Sequence, residues 1–107
     1  MRILEFEVKK QRLMKKQGCD FGSLVAGSIG YLHAKFHFSE NEWSPCIDKI
    51  ARFWINEQEH AVRLDNTNTC VIPPEVLTGK KFEVSVLGAA SDYKIETNKI
   101  TVRQVVS

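Results

Sequence analysis

The sequence predicts an all-β protein, an immunoglobulin-like antiparallel β-sandwich of seven to eight short strands that folds as a single domain over residues 1–107. Apolar and polar residues alternate along most of the chain, as in strands that turn one face to a core. Turn-forming residues recur about every 8 to 12 positions, and no window of about 12 residues places its apolar side chains on one helical stripe. With 107 residues and 43% hydrophobic composition, the chain is long enough to bury one core.

The first third of the chain contains one clear strand followed by loops. Residues 4–8 alternate between apolar and charged side chains and predict a strand. The basic stretch 9–16 either extends that strand or frays into solvent. Glycine places turns at 17–23 and 27–30. The segment 24–26 between them is predicted to pair weakly at a sheet edge.

The clearest strand covers residues 31–38, where apolar side chains at even positions alternate with others at odd positions. Further strands are predicted at 50–55, 60–64 and 69–72. The intervening segment 65–68 is a predicted turn, because Asp and Asn side chains bond their own backbone and tolerate positive φ.

Two consecutive prolines then interrupt the strands, because proline cannot donate to a ladder. Pro74 followed by Glu75 suits the first turn of a short helix. We predict a one-turn connection that crosses between the two sheets, with Val76 or Leu77 filling the end of the core.

The chain finishes with strands at 81–88, 93–97 and 100–103. Residues 89–92 form a predicted hairpin tip, and residues 98–99 form either a tight turn or a bulge.

Composition argues against several classes of function. Fifteen basic and thirteen acidic residues give a net charge of +2, which is too weak and too evenly spread to favour nucleic-acid binding. No stretch approaches the roughly 18 to 20 apolar residues of a membrane span, and the acidic start does not fit a secretory signal. We therefore expect no nucleic-acid partner and no membrane association.

The three cysteines are predicted to be free thiols, because their number is odd and no Cys-x-x-Cys spacing occurs. Cys70 alternates with Ile72, as a small core residue does. Cys19 lies in a glycine-rich loop and Cys46 follows Pro45, so these two are the candidates for reactive thiols.

An aromatic and basic stripe lies on the outward face of the clearest strand. It consists of Tyr31, His33, Lys35 and His37. Such a stripe can stack single-stranded nucleic acid, but more often it is a solvated face or a protein contact. The two histidines lie roughly 13 Å apart on a strand that rises about 3.3 Å per residue, too far to share a metal.

Trp43 and Trp54 are the large aromatic side chains expected at the surface. Trp54 falls on the face opposite Phe53. An outward tryptophan on a sheet is either a sugar-stacking platform, here with Tyr93 as a second aromatic, or an anchor for a protein partner. The alternative for Trp54 is a core position. No catalytic motif, metal site or cofactor is predicted, so the candidate interaction surface is the stripe together with Trp54.

Six segments from residue 36 onward carry a recognisable order of core and turn residues. They are residues 36–43 (FHFSENEW), 51–53 (ARF), 62–65 (VRLD), 70–77 (CVIPPEVL), 82–88 (FEVSVLG) and 95–102 (IETNKITV). This order resembles that of small immunoglobulin-like structural proteins of phages and prophages of Gram-positive bacteria, of the baseplate, tail-fibre or head-decoration type. Residues 1–30 fit the resemblance loosely.

The resemblance implies a non-enzymatic virion structural or assembly module, associated with a baseplate, tail or capsid. Its expected partners are other virion proteins or further copies of itself. Its expected location is the virion, or the cytoplasm of the bacterial host before assembly. Two alternatives remain open, namely a carbohydrate-binding module that recognises a cell-surface glycan and a prophage-borne accessory protein with another partner.

Overall fold

A computed structural model describes residues 1–39 and 42–106 as two packed β-sheets, which confirms the predicted all-β sandwich. The strands are β1 (Arg2–Lys9), β2 (Arg12–Lys15), β3 (Leu32–Phe38), β4 (Asp48–Ile55), β5 (Gln58–Arg63), β6 (Thr69–Val71), β7 (Lys81–Ala89), β8 (Lys94–Glu96) and β9 (Ile100–Arg103). The first sheet has the order β2-β1-β3-β6. The second has the order β5-β4-β7, and both β8 and β9 pair with β7.

One pairing differs from the predicted antiparallel arrangement, because β1 and β3 run parallel with Arg2 opposite Leu32 and Val8 opposite Phe38. The basic stretch forms a hairpin with β1 and supplies β2, which is the strand beyond the predicted seven or eight. Residues 16–31 then carry the chain past β1, so that β3 begins beside the start of β1. A parallel pair requires such a long connection.

The core lies between the sheets and contains the inward halves of the strands. Its largest fully buried side chains include Leu4, Phe6, Phe36, Trp43, Phe53, Phe82 and Ile72. The prediction that Trp43 is exposed is wrong. Its ring packs against Phe38 at 4.9 Å between centroids, and its Nε1 donates to the carbonyl of Lys10 at 2.8 Å. Burial therefore leaves no donor unsatisfied.

The proline segment behaves as predicted. A 3₁₀ turn at Pro74–Val76 connects β6 of the first sheet to β7 of the second, and both Val76 and Leu77 are fully buried at this end of the sandwich. No helix in the described part of the chain has the length and apolarity to cross a membrane.

Loop contacts join the two sheets along one side. The amide of Leu13 on β2 donates to Asn98 Oδ1 at 2.8 Å, and the amide of Asn98 donates to the Gln11 carbonyl at 3.2 Å. At the end of the same side, Val25 and Val105 form an isolated parallel bridge, which confirms the weak edge pairing expected for residues 24–26. The edge of β2 is therefore partly covered by the segment between β8 and β9.

Candidate interaction surface

The outer face of the first sheet presents the predicted stripe. His33, Lys35 and His37 alternate along β3 with three buried apolar residues, so their side chains point away from the core. Tyr31 precedes the strand in the same phase and is 49% exposed. The stripe is thus continuous, as the alternation indicated.

Trp54 is not brought together with the stripe. It lies on β4 in the second sheet, opposite Glu59 and Glu83. It is half-buried, and its ring is covered by two cations: the Arg52 guanidinium lies 4.8 Å from the ring centroid and Lys99 Nζ lies 3.7 Å from it.

Apolar side chains surround His33 and extend the stripe across three strands. Register places Ile3 of β1 and Val71 of β6 on either side of His33, and the sulfur of Met1 contacts His33 Nδ1 at 2.9 Å. Met1, Ile3, Tyr31 and Val71 are 80%, 41%, 49% and 46% exposed. We call these four residues the apolar patch.

Sequence reasoning missed Ile3 and Val71, although a signal was present. In β1 the even-numbered residues face the core, so Ile3 is an apolar residue on the solvent-facing side of the strand. Val71 stands in the same way between the buried residues Cys70 and Ile72. Both residues therefore place apolar side chains on the solvent-facing side of their strands, beside His33.

The other end of the stripe is charged and paired. His37 Nε2 donates to Glu5 Oε1 at 2.7 Å, and this hydrogen bond is the main reason that the pKa of Glu5 lies below its ordinary value. The nearby Lys16 and Lys35 lower the pKa of Glu5 further. The outer face therefore divides into an apolar half around His33 and a hydrogen-bonded polar half around His37.

Two of the three thiols are buried. Burial raises the pKa of Cys46, and it raises the pKa of Cys70 to about 12. Of the two candidate reactive thiols, Cys46 is buried in the core and Cys19 is half-exposed. Within residues 1–39 and 42–106, no three His, Cys, Asp or Glu side chains are grouped as metal ligands.

Fold and surface together define a β-sandwich with an apolar patch on the outer face of one sheet. Comparisons of the chain with protein-family models, with curated protein sequences and with solved structures gave no significant match.

Proposed function

We propose that this chain is a non-enzymatic structural or assembly module of a phage or prophage virion, and that it binds a neighbouring virion protein through the apolar patch. The observation that carries the proposal is the exposure of Met1, Ile3, Tyr31 and Val71 side by side on one sheet face. Water-exposed apolar side chains grouped in this way favour a protein contact, because covering them removes apolar surface from water.

The strand order supports the immunoglobulin-like part of the proposal. β3 pairs with β6 in one sheet, while β5, β4, β7 and β9 follow one another in the other. The B and E strands and the C′, C, F and G strands of immunoglobulin-like sandwiches have this order. In this assignment the β1–β2 hairpin is an addition beside strand B.

The residues that carry the family resemblance occupy core and turn positions of the sandwich. Phe36 and Trp43 of the first segment are buried in the core, and the prolines of the fourth segment form the turn between the sheets. These segments support a shared fold. Membership of a virion rests on the resemblance of their order.

Glycan binding is less well supported by the geometry. A sugar ring stacks on an open aromatic face, whereas Arg52 and Lys99 occupy positions over the Trp54 ring. The second aromatic, Tyr93, donates its hydroxyl to the carbonyl of Glu42. The carbohydrate-binding alternative is therefore retained only as an outcome of the experiment.

The test is capture of virion components by the immobilised protein, followed by mass spectrometry. We expect the unaltered chain to retain a tail, baseplate or capsid protein from an induced prophage lysate, and Val71→Glu to reduce that retention more than about ten-fold because a charge cannot enter an apolar contact. Val25→Glu is the matched control, since Val25 is also exposed, at 51%, but lies outside the patch.

Two results would contradict the proposal. One is retention that is equally strong with Val71→Glu. The other is a protein that retains no virion component but binds a cell-wall glycan in a manner abolished by Trp54→Ala, which would establish the carbohydrate-binding function instead.

A further inference from the structure

The strand β5 exposes an open row of main-chain hydrogen-bonding groups. The amide of Leu64 donates to the carbonyl of Lys49 at 2.8 Å, which fixes the phase of the β4–β5 ladder. In that phase the main-chain N–H and C=O groups of Glu59, Ala61 and Arg63 point away from β4. No other segment of the described chain bonds to them.

Two of the other sheet edges, those of β6 and β2, are partly covered. On β6 the main chain of Thr69 bonds to Asp65, through the Asp65 amide and Oδ1, both at 3.0 Å. On β2, Leu13 bonds to Asn98. By contrast β5 is six residues long and contains no proline or glycine to interrupt its pairing. Its two charged residues, Glu59 and Arg63, have opposite signs.

We propose that a second copy of this chain binds along the open edge of β5, as an antiparallel two-fold dimer with Ala61 opposite Ala61 of the second copy. This register pairs all three outward residues, with two hydrogen bonds at each pair. A shift of the second copy by two residues in either direction would leave only two of these three residue pairs. The proposal rests on the proposed function only in that the partner is a protein, and it uses a different sheet from the apolar patch.

The charges on β5 are complementary in this register. Glu59 lies opposite Arg63 of the second copy, and Arg63 lies opposite its Glu59, so each side of the two-fold axis gains an opposite-charge pair. A larger shift of the second copy in one direction would place Glu59 opposite Glu59. A larger shift in the other direction would place Arg63 opposite Arg63. The small Ala61 side chain at the axis leaves room for its copy.

Contacts within the chain hold these charges in place. Arg52 donates from Nε to Glu59 Oε2 at 2.6 Å and from Nη2 to Glu59 Oε1 at 3.1 Å. Arg63 Nη2 lies 2.5 Å from Asp48 Oδ1. In the dimer the carboxylates and guanidinium groups would then alternate in sign across the junction. On the opposite face of the sheet, half-buried His60 meets half-buried Val62 of the second copy.

Sedimentation of the full chain at concentrations up to about 1 mM tests the dimer, because a single edge strand gives a small interface and hence weak association. We expect the mass to rise from 12.2 kDa toward that of a dimer. Ala61→Pro is expected to raise the dissociation constant more than about ten-fold, because it removes the central donors and no intrachain hydrogen bond. Its near-ultraviolet circular dichroism should match that of the unaltered chain.

Charge variants provide a test that does not depend on the proline. Alone, Glu59→Lys opposes lysine to arginine and Arg63→Glu opposes two glutamates, so each is expected to weaken self-association. An equal mixture of the two variants restores opposite charges at both pairs and should associate as the unaltered chain does. Asp92→Lys, an exposed change at the far edge of the same sheet, is the control for net charge.

The inference is overturned by a chain that stays monomeric throughout the concentration range, by Ala61→Pro associating like the unaltered protein, or by a mixture no better than its components. Each of these results leaves capture of a virion protein through the apolar patch untouched. Conversely, loss of that capture in the proposed-function experiment leaves the dimer intact.

Discussion

At some points in the core the packing is so close that only one type of residue fits. Gly88 on β7 is such a point. A Cβ built there would lie 2.7 Å from Trp43 Cζ3 and 2.8 Å from Cys46 Sγ. Both neighbours are themselves buried, so neither can move aside freely.

Gly88→Ala should therefore lower the free energy of unfolding by about 1 to 3 kcal/mol, the usual range for overpacking. Gly79→Ala is the matched control, because its Cβ would make an ordinary contact at 3.4 Å with Ile55. Urea unfolding measures both variants. Equal effects would show that the region of Trp43 can relax.

The two faces of β3 should differ sharply in their sensitivity to substitution. Phe36 is 1% exposed and stacks on Phe6 with ring centroids 5.0 Å apart, so Phe36→Ala should lower the free energy of unfolding by about 3 to 5 kcal/mol. Phe82→Ala, in an equally buried position, should do the same. His33→Ala and His37→Ala, on the outward face, should each change the free energy of unfolding by less than about 1 kcal/mol. A loss in His37→Ala as large as that in Phe36→Ala would contradict this assignment of faces.

The thiols should be distinguishable by reactivity. Titration of the unfolded, unreduced protein is expected to detect all three cysteines as free thiols. In the folded protein at neutral pH, Cys19 should react first, because Cys46 and Cys70 are buried with raised pKa values. A single equivalent in the unfolded chain would instead indicate a disulfide.

At the scale of elements, the turn between β5 and β6 depends on one carboxylate. Asp65 Oδ1 accepts from the amides of Thr67 and Thr69 at 2.9 and 3.0 Å and from the Thr67 hydroxyl at 2.7 Å. The side-chain hydrogen bond from Thr67, followed by the backbone bonds, lowers the pKa of Asp65 below its ordinary 3.8. The charged form is therefore favoured by folding.

This depressed pKa gives a defined pH dependence. The stabilisation by Asp65 is complete above its ordinary pKa of 3.8 and is lost as the pH falls through the lower pKa of the folded state. Asp65→Asn keeps an acceptor but cannot titrate. Its free energy of unfolding should approach that of the unaltered protein as the pH drops from about 5 to about 2. A difference that is constant over this range would contradict the prediction.

Alternation along the chain was sufficient to locate most strands, because a half-buried strand needs a period of two. It did not locate β2, where Leu13 alone is buried and the hairpin turns at Lys10 with a positive φ of 54° instead of at glycine. Nor did it reveal the burial of Trp43, which depends on Gly88 from a distant strand. The stripe was predictable from β3 alone. The apolar patch was not, since the parallel pairing of β1 with β3 decides which residues join it.

At the scale of the whole molecule, Asn98 links the two sheets. Asn98→Ala should lower the free energy of unfolding by about 1 to 3 kcal/mol, because the amide of Leu13 loses its acceptor. Asn98→Asp retains that acceptor and should cost less. Hydrogen exchange at the Leu13 amide should quicken only in the alanine variant. Equal exchange in both variants would show that the side-chain oxygen is not what protects this edge.

The positions of Arg2 and Val105 decide how the domain responds to tension. The 3₁₀ turn lies between Ile72 and Leu77. The amide of Ile72 donates to the carbonyl of Leu32, which lies opposite Arg2. The carbonyl of Leu77 accepts a hydrogen bond from the loop that pairs with Val105. Arg2 and Val105 therefore both leave the sandwich at the pole that holds this turn. A pull between them acts across the strands, so ladder bonds break one after another instead of sharing the load. Force spectroscopy with the load applied between residues 2 and 105 should therefore record unfolding at low force.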